Sequence, residues 1–179
     1  MKIYKTGIIG CGGIAQKMAA TLEKMKGVER YAVASRNQEK AEAFANKWGF
    51  TKAYGSYEEL ASDPEVDLIY IATPHAMHYD NAHMCIEKGK PVLCEKAFTA
   101  NARQAEDLLA FAKEKGVFIT EAIWTRYMPL SLKIQELLKE GVIGTPYTLS
   151  ANLSYPISNK ERIIRPELAG GALLDIGVY

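Results

Sequence analysis

Cysteine is scarce in this sequence: Cys11, Cys85 and Cys94 are the only three among 179 residues. They are too few and too scattered for a disulfide scaffold or a zinc ribbon, and they read as reduced thiols of a cytoplasmic protein. No apolar run is long enough to span a bilayer, and the N-terminus enters a strand pattern at once with no signal-peptide core. A membrane partner is therefore not expected. A dominant charge is missing too. The 22 Lys and Arg offset the 21 Asp and Glu, leaving a net charge of +1 and no run of like charges. Nothing in that balance points to nucleic acid. Histidine is limited to His75, His78 and His83. Their spacing does not put all three on one helix face, and no acidic or cysteine partner is near in sequence, so no metal site is expected.

What is present is an alternation. Apolar runs at 3–10, 31–35, 52–54, 67–73, 91–94 and 117–121 read as strands. Helix-period segments at 12–26, 37–48, from Ser56, 76–88 and 101–115 lie between them. The expected buried stripes are Ile14, Met18, Leu22 and Met25; Ala41, Phe44, Ala45 and Trp48; and Ala105, Leu108, Leu109 and Ala112. Asn37 reads as an N-cap, and Ser56 with Glu59 three residues on reads as a capping box. Strands joined by helices of this length need right-handed crossovers. The expected fold is therefore α/β: a doubly wound parallel sheet, the Rossmann fold, over residues 1–122.

After Trp124 the pattern changes. Residues 130–140 read as a helix burying Leu130, Ile134, Leu137 and Leu138, and 145–155 as a half-exposed strand. A charged loop at 156–166 and a helix starting at Gly170–Gly171 follow. One helix and one strand do not close a core. Residues 123–179 therefore read as the truncated start of a second, α+β domain.

Gly10-Cys11-Gly12-Gly13-Ile14-Ala15 fits G-x-G-x-x-A between the first strand and first helix. Gly10 permits the tight turn, Gly12 lets the backbone approach a pyrophosphate, and Ala15 lets helix and strand pack closely. Free N–H groups at the helix start, from Gly13 and Ile14 onward, favour phosphate. A glycine turn without a ligand is the plain alternative, and the flanking strand and helix weigh against it. At the end of the second strand, where NAD binders carry an acid, stands Ser35-Arg36-Asn37. No carboxylate is there to repel a 2′-phosphate. Arg36 can pair with that phosphate and Ser35 can donate to it, so NADP is expected over the alternative, NAD. The missing acid also counts against a methyltransferase using the same loop.

Taken in order, Gly7 to Ala15, then Ala72-Thr73-Pro74-His75 with His78, then Cys94-Glu95-Lys96, resemble the Gfo/Idh/MocA oxidoreductases along the whole chain. Glu121 to Pro129 and Gly170 to Tyr179 resemble the branch of the trans-1,2-dihydrobenzene-1,2-diol dehydrogenases. The resemblance implies an NADP-linked dehydrogenase acting on a sugar, polyol or cyclic diol. It also implies that this chain is about the first half of a longer, homo-oligomeric protein. Thr73, Pro74, His75, His78 and Glu95 would lie on the cofactor side, and Lys96 would orient and polarise the substrate oxygen. Tyr179, which replaces the family's usual His, would transfer a proton, with Asp175 tuning it from one turn away. Lys96 also follows a strand at its carboxyl end, where such folds bind ligands. Trp124 and Arg126, at the hinge, are candidates for the substrate wall. Ala97 departs from the family, which usually has Pro after this lysine at a bond that is often cis. Two other readings stay open: a dinucleotide-binding sensor without turnover, and an inactive fragment with an exposed strand edge.

Overall fold

The computed structural model describes residues 2–157 and 159–179. Its centre is a six-stranded sheet, all parallel, in the order β3-β2-β1-β4-β5-β6. The strands are β1 (Tyr4–Ile9), β2 (Val28–Ala34), β3 (Lys52–Tyr54), β4 (Leu68–Ile71), β5 (Val92–Glu95) and β6 (Ile119–Ala122). Between them run α1 (Gly13–Leu22), α2 (Gln38–Trp48), α3 (Tyr57–Ser62), α4 (His78–Glu87) and α5 (Ala102–Lys115). After the sheet come α6 (Pro129–Lys139), α7 (Glu161–Ile164) and α8 (Ala172–Asp175).

The apolar runs are continuous because both faces of the sheet are covered. Ile8, Val33 and Tyr70 point to one layer, where they meet Ala15, Ala19 and Leu22 of α1 and Phe44 and Ala45 of α2. Their neighbours Ile9, Ala32, Ala34, Ile69 and Ile71 point to the other, against Leu60, Ala61, Ala82, Cys85, Ile86, Leu108 and Ala112 of α3, α4 and α5. The strand period of two divides each run between the layers. Side-chain caps set three helix starts. Asn37 accepts from Lys40 N, Ser56 from Glu59 N, and Asn101 from Gln104 N.

Several expected details change. The stripe of α1 is Ala15, Ala19 and Leu22; Ile14 is exposed, and Met25 lies beyond the helix end. Small residues face the sheet because the helix packs close to it. On α5, Leu109 is exposed and Leu108 with Ala112 make the contact. Helix α6 forms as expected, but Leu130, Ile134, Leu137 and Leu138 are not buried. Residues 145–155 form no strand, and Tyr147 is 94% exposed. A strand needs a neighbour to take its hydrogen bonds, and no described residue offers one. The charged loop includes Ser158, outside the described residues, and the short helix α7 interrupts it. Among the described residues no helix is long and apolar enough to cross a membrane.

Candidate active site

The strand order reverses between β1 and β4, so their carboxyl ends open the crevice where doubly wound sheets hold ligands. The glycine loop forms one wall. Gly10 has φ +102, and its N–H donates to Ala34 O at 2.9 Å. A Cβ there would lie 2.8 Å from the Ala72 carbonyl oxygen. Gly10 is thus demanded by the protein itself. Gly12 and Gly13 are not: a Cβ on either would meet nothing within 4 Å. They line open space at the start of α1, where Gly12 is the N-cap, no side chain caps the helix and no acid sits in the first turn. Uncapped N–H groups beside bare glycines make a cradle that suits a pyrophosphate.

At the end of β2, Ser35 is buried and its hydroxyl accepts from Asn37 N. Arg36 is exposed and close to Tyr57, whose hydroxyl burial pushes up while Arg36 pulls it down. Lys40, in the first turn of α2, adds positive charge that works against the upward push of burial on the Cys11 thiol of the glycine loop. Sequence reasoning missed Lys40; its place four residues after Arg36 was the available signal. Arg36 and Lys40, with no acid among Ser35, Arg36 and Asn37 at the strand end and Glu39 following in the first turn of α2, are a basic pair that suits a phosphorylated ribose.

After β4, Thr73 is buried and its hydroxyl accepts from Asn81 Nδ2 at 3.1 Å. Pro74 ends the strand, and a single 3-10 turn, His75–Met77, leads into α4. His78 has no exposure at all. Its ring bridges Ala97 O at 2.7 Å and Thr73 O at 2.8 Å, so it reaches the crevice only through the two loops it ties together. Burial holds its pKa below the ordinary value against the pull of both carbonyls. His83 is elsewhere, stacked on Phe111.

The end of β5 gathers a cluster of ionisable side chains. Glu95 Oε1 accepts from the Tyr70 hydroxyl, and Oε2 accepts from Lys96 N at 3.1 Å. Burial raises the pKa of both Glu95 and Tyr70. The carboxylate therefore sits under the site, braced by the sheet. The Lys96–Ala97 bond is cis. Phe98 N donates to Glu121 Oε1 at 2.9 Å, which fastens the loop to β6. Lys96 Nζ donates to Asp175 O at 2.5 Å and to Asp175 Oδ1 at 3.0 Å. It also lies 4.8 Å from the centre of the Tyr179 ring. The Tyr179 hydroxyl accepts from Trp124 Nε1 at 3.1 Å, which leaves its own proton free to donate. Arg126 is exposed on the same 3-10 turn as Trp124.

Asp175, 4% exposed, is the hub. Arg162 of α7 donates to the same Oδ1 that Lys96 uses, and His75 Nε2 stands 3.9 Å from it. Burial pushes the Asp175 carboxyl up, but the Arg162 and Lys96 hydrogen bonds outweigh it and hold it below the ordinary carboxylate value. Burial holds the pKa of His75 below the ordinary imidazole value. The structure therefore brings Lys96, Asp175, Tyr179, Trp124 and His75 together, and adds Arg162. No local signal marked Arg162, which lies in the charged loop 66 residues beyond Lys96.

The comparisons with known proteins agree with this architecture. Residues 4–122 match the family model described as an oxidoreductase family with an NAD-binding Rossmann fold, Gfo/Idh/MocA. The chain is 44% identical over 197 aligned positions to a D-xylose 1-dehydrogenase (NADP(+)) of Hypocrea jecorina, covering 98% of this chain and 50% of that protein. It is 41% identical over 177 positions to the trans-1,2-dihydrobenzene-1,2-diol dehydrogenase of Xenopus tropicalis, covering 98% and 54%. Among solved structures, KijD10, a 3-ketoreductase from Actinomadura kijaniata in complex with NADP and TDP-benzene, superposes with a TM-score of 0.89 at 33% identity, covering 98% of this chain and 55% of that one. The fold and crevice thus define a dinucleotide-binding oxidoreductase architecture. The chain belongs to the Gfo/Idh/MocA oxidoreductase family. It spans about half the length of the curated relatives it matches.

Proposed function

We propose that this protein is an NADP-dependent dehydrogenase that moves hydride between the nicotinamide and a secondary alcohol or carbonyl of a sugar, polyol or cyclic diol. The observation that carries the reading is the cluster at the end of β5: Lys96, Asp175 and Tyr179 meet where the crevice opens, beside an uncapped glycine loop. The nicotinamide, when bound, supplies the hydride acceptor or donor. The residues do the rest. Gly12, Gly13, Ile14 and Ala15 present the helix N-terminus to the pyrophosphate. Arg36 and Lys40 pair with the 2′-phosphate, and Ser35 and the Thr73–Pro74 turn shape the walls. Glu95 braces the strand end. Lys96 Nζ directs a positive charge and an N–H to the carbinol oxygen, and Tyr179 exchanges the proton there. Trp124 walls the substrate, and Arg126 is the polar contact at the rim.

Residues 1–122 are read as the cofactor domain and 123–179 as the start of a substrate domain. The uncovered apolar side chains of α6 favour a further packing partner, either more of the substrate domain or a second copy in a homo-oligomer. The three free thiols favour a cytoplasmic location, and the balanced charge favours small-molecule partners over nucleic acid. The test is reduction of NADP by a panel containing D-xylose, other sugars and cyclic trans-diols, with NADP affinity measured in parallel. Turnover with at least one supports the reading. NADP binding without turnover across the panel overturns it in favour of a module that holds dinucleotide only.

A further inference from the structure

We propose that Arg162 is a positioning residue. It fixes the Asp175 carboxylate so that this acid holds the Lys96 ammonium while one Lys96 N–H stays free for the substrate oxygen. The inference rests on the reading of Lys96 as the group that meets that oxygen.

A lysine ammonium has three N–H donors. Two are spent on Asp175, one on its backbone oxygen and one on Oδ1. Arg162 Nη1 shares Oδ1. A carboxylate held from two directions cannot swing its second oxygen toward Lys96 without breaking the Arg162 bond. Without Arg162, a nearly buried anion would have Lys96 as its one charged partner, and its second oxygen would compete for the remaining donor. His75 does not replace the arginine, because its Nε2 is 3.9 Å away, beyond hydrogen-bond distance.

The backbone fixes where Arg162 comes from. Helix α7 sits hard against Gly170, at which a Cβ would lie 2.6 Å from Ile163 O and 2.7 Å from Arg165 O. Gly170 and Gly171 then lead directly into α8, which carries Asp175. The position of the guanidinium relative to the carboxylate is thus set over a short, tightly packed stretch. The Arg162 side chain is 47% exposed and α7 buries no residue, so its replacement empties no core. Arg165, three residues on, provides a control: it pairs with Glu161 at 2.8 Å and Glu167 at 3.4 Å and leaves Asp175 alone.

The charged and titratable groups facing Asp175 are Lys96 after β5, His75 after β4 and Arg162 on α7, with Tyr179 beside Lys96. Loss of the Arg162 bond removes a force that keeps Asp175 ionised, so its titration moves up in pH. The experiment follows the Asp175 carboxyl by NMR on isotope-labelled protein in the wild type and in Arg162→Leu, Arg162→Lys and Arg165→Leu. An upward shift of about one pH unit is expected for Arg162→Leu, with partial restoration in Arg162→Lys and no change in Arg165→Leu. The acid limb of the kcat profile for hydride transfer moves up with it, while the Kd for NADP stays the same. An unshifted Asp175 in Arg162→Leu, or an equal shift in Arg165→Leu, overturns the inference. If the wild type turns over no substrate, the dehydrogenase reading fails on its own, and the titration still decides the role of Arg162.

Discussion

Two glycines of one loop should fail in different ways when given a methyl group. At Gly10 the backbone has φ +102, and a Cβ would sit 2.8 Å from Ala72 O. The left-handed conformation costs an L-residue about 1–2 kcal/mol, and forcing the backbone apart to relieve such a contact costs about 1–3 kcal/mol more. Gly10→Ala should therefore lose about 2–5 kcal/mol out of a total stability of about 5–15 kcal/mol. Gly12 has φ −81 and no atom within 4 Å of an added Cβ. Gly12→Ala should cost the fold about 1 kcal/mol or less, the loss of a preferred N-cap residue. Its methyl would instead occupy the approach of the pyrophosphate, and NADP affinity should fall at least tenfold, about 1.4 kcal/mol. Urea unfolding followed by circular dichroism measures the first quantity and fluorescence titration with NADP the second. If Gly12→Ala unfolds as readily as Gly10→Ala, or binds NADP as well as the wild type, the division of labour is wrong.

Three further outcomes can be checked. Arg36→Ala should weaken NADP binding about tenfold to a hundredfold, the worth of a charge-assisted hydrogen bond, and leave NAD binding unchanged; equal losses for both would assign Arg36 to the adenine instead. Lys96→Met should lower kcat for hydride transfer by about a hundredfold to ten-thousandfold while NADP still binds, and a variant of near wild-type kcat would remove Lys96 from the chemistry. The last concerns acid stability. Burial pushes the Asp63 carboxyl up, but hydrogen bonds from Tyr54, Lys52 and Glu65 N bring it down to about 2. Its stabilisation is complete above the ordinary value of 3.8 and is lost as pH falls through about 2. Asp63→Asn should remove that part of the acid sensitivity, seen as a smaller drop in the urea midpoint between neutral pH and pH about 2; an unchanged drop would count against it.

Much of the molecule was legible before any coordinates. The alternation of apolar runs with helix periods, the caps at Asn37 and Ser56, and the glycine loop specify the Rossmann sheet, because each is a local rule with a local cause. The absence of an acid at Ser35-Arg36-Asn37 was likewise visible in three consecutive residues. Residues 145–155 misled for a physical reason. Alternation states which face a strand would bury, but a ladder forms only where a partner strand offers N–H and C=O groups. The stripe of α6 shows the same limit: periodicity names a face, and a second surface has to cover it.

The sequence by itself determined the glycine loop opened by Gly10 and the strand end that carries Lys96, since both follow from neighbours within a few residues. Only the tertiary structure decided which charges meet. Asp175 lies 79 residues from Lys96 and 13 from Arg162, yet both cations reach one oxygen. His78 closes fully between Thr73 O and Ala97 O. Such contacts depend on where β4, β5, α7 and α8 end in space. A buried carboxylate draws to itself whichever donors the fold leaves within reach, and sequence spacing carries no record of that choice.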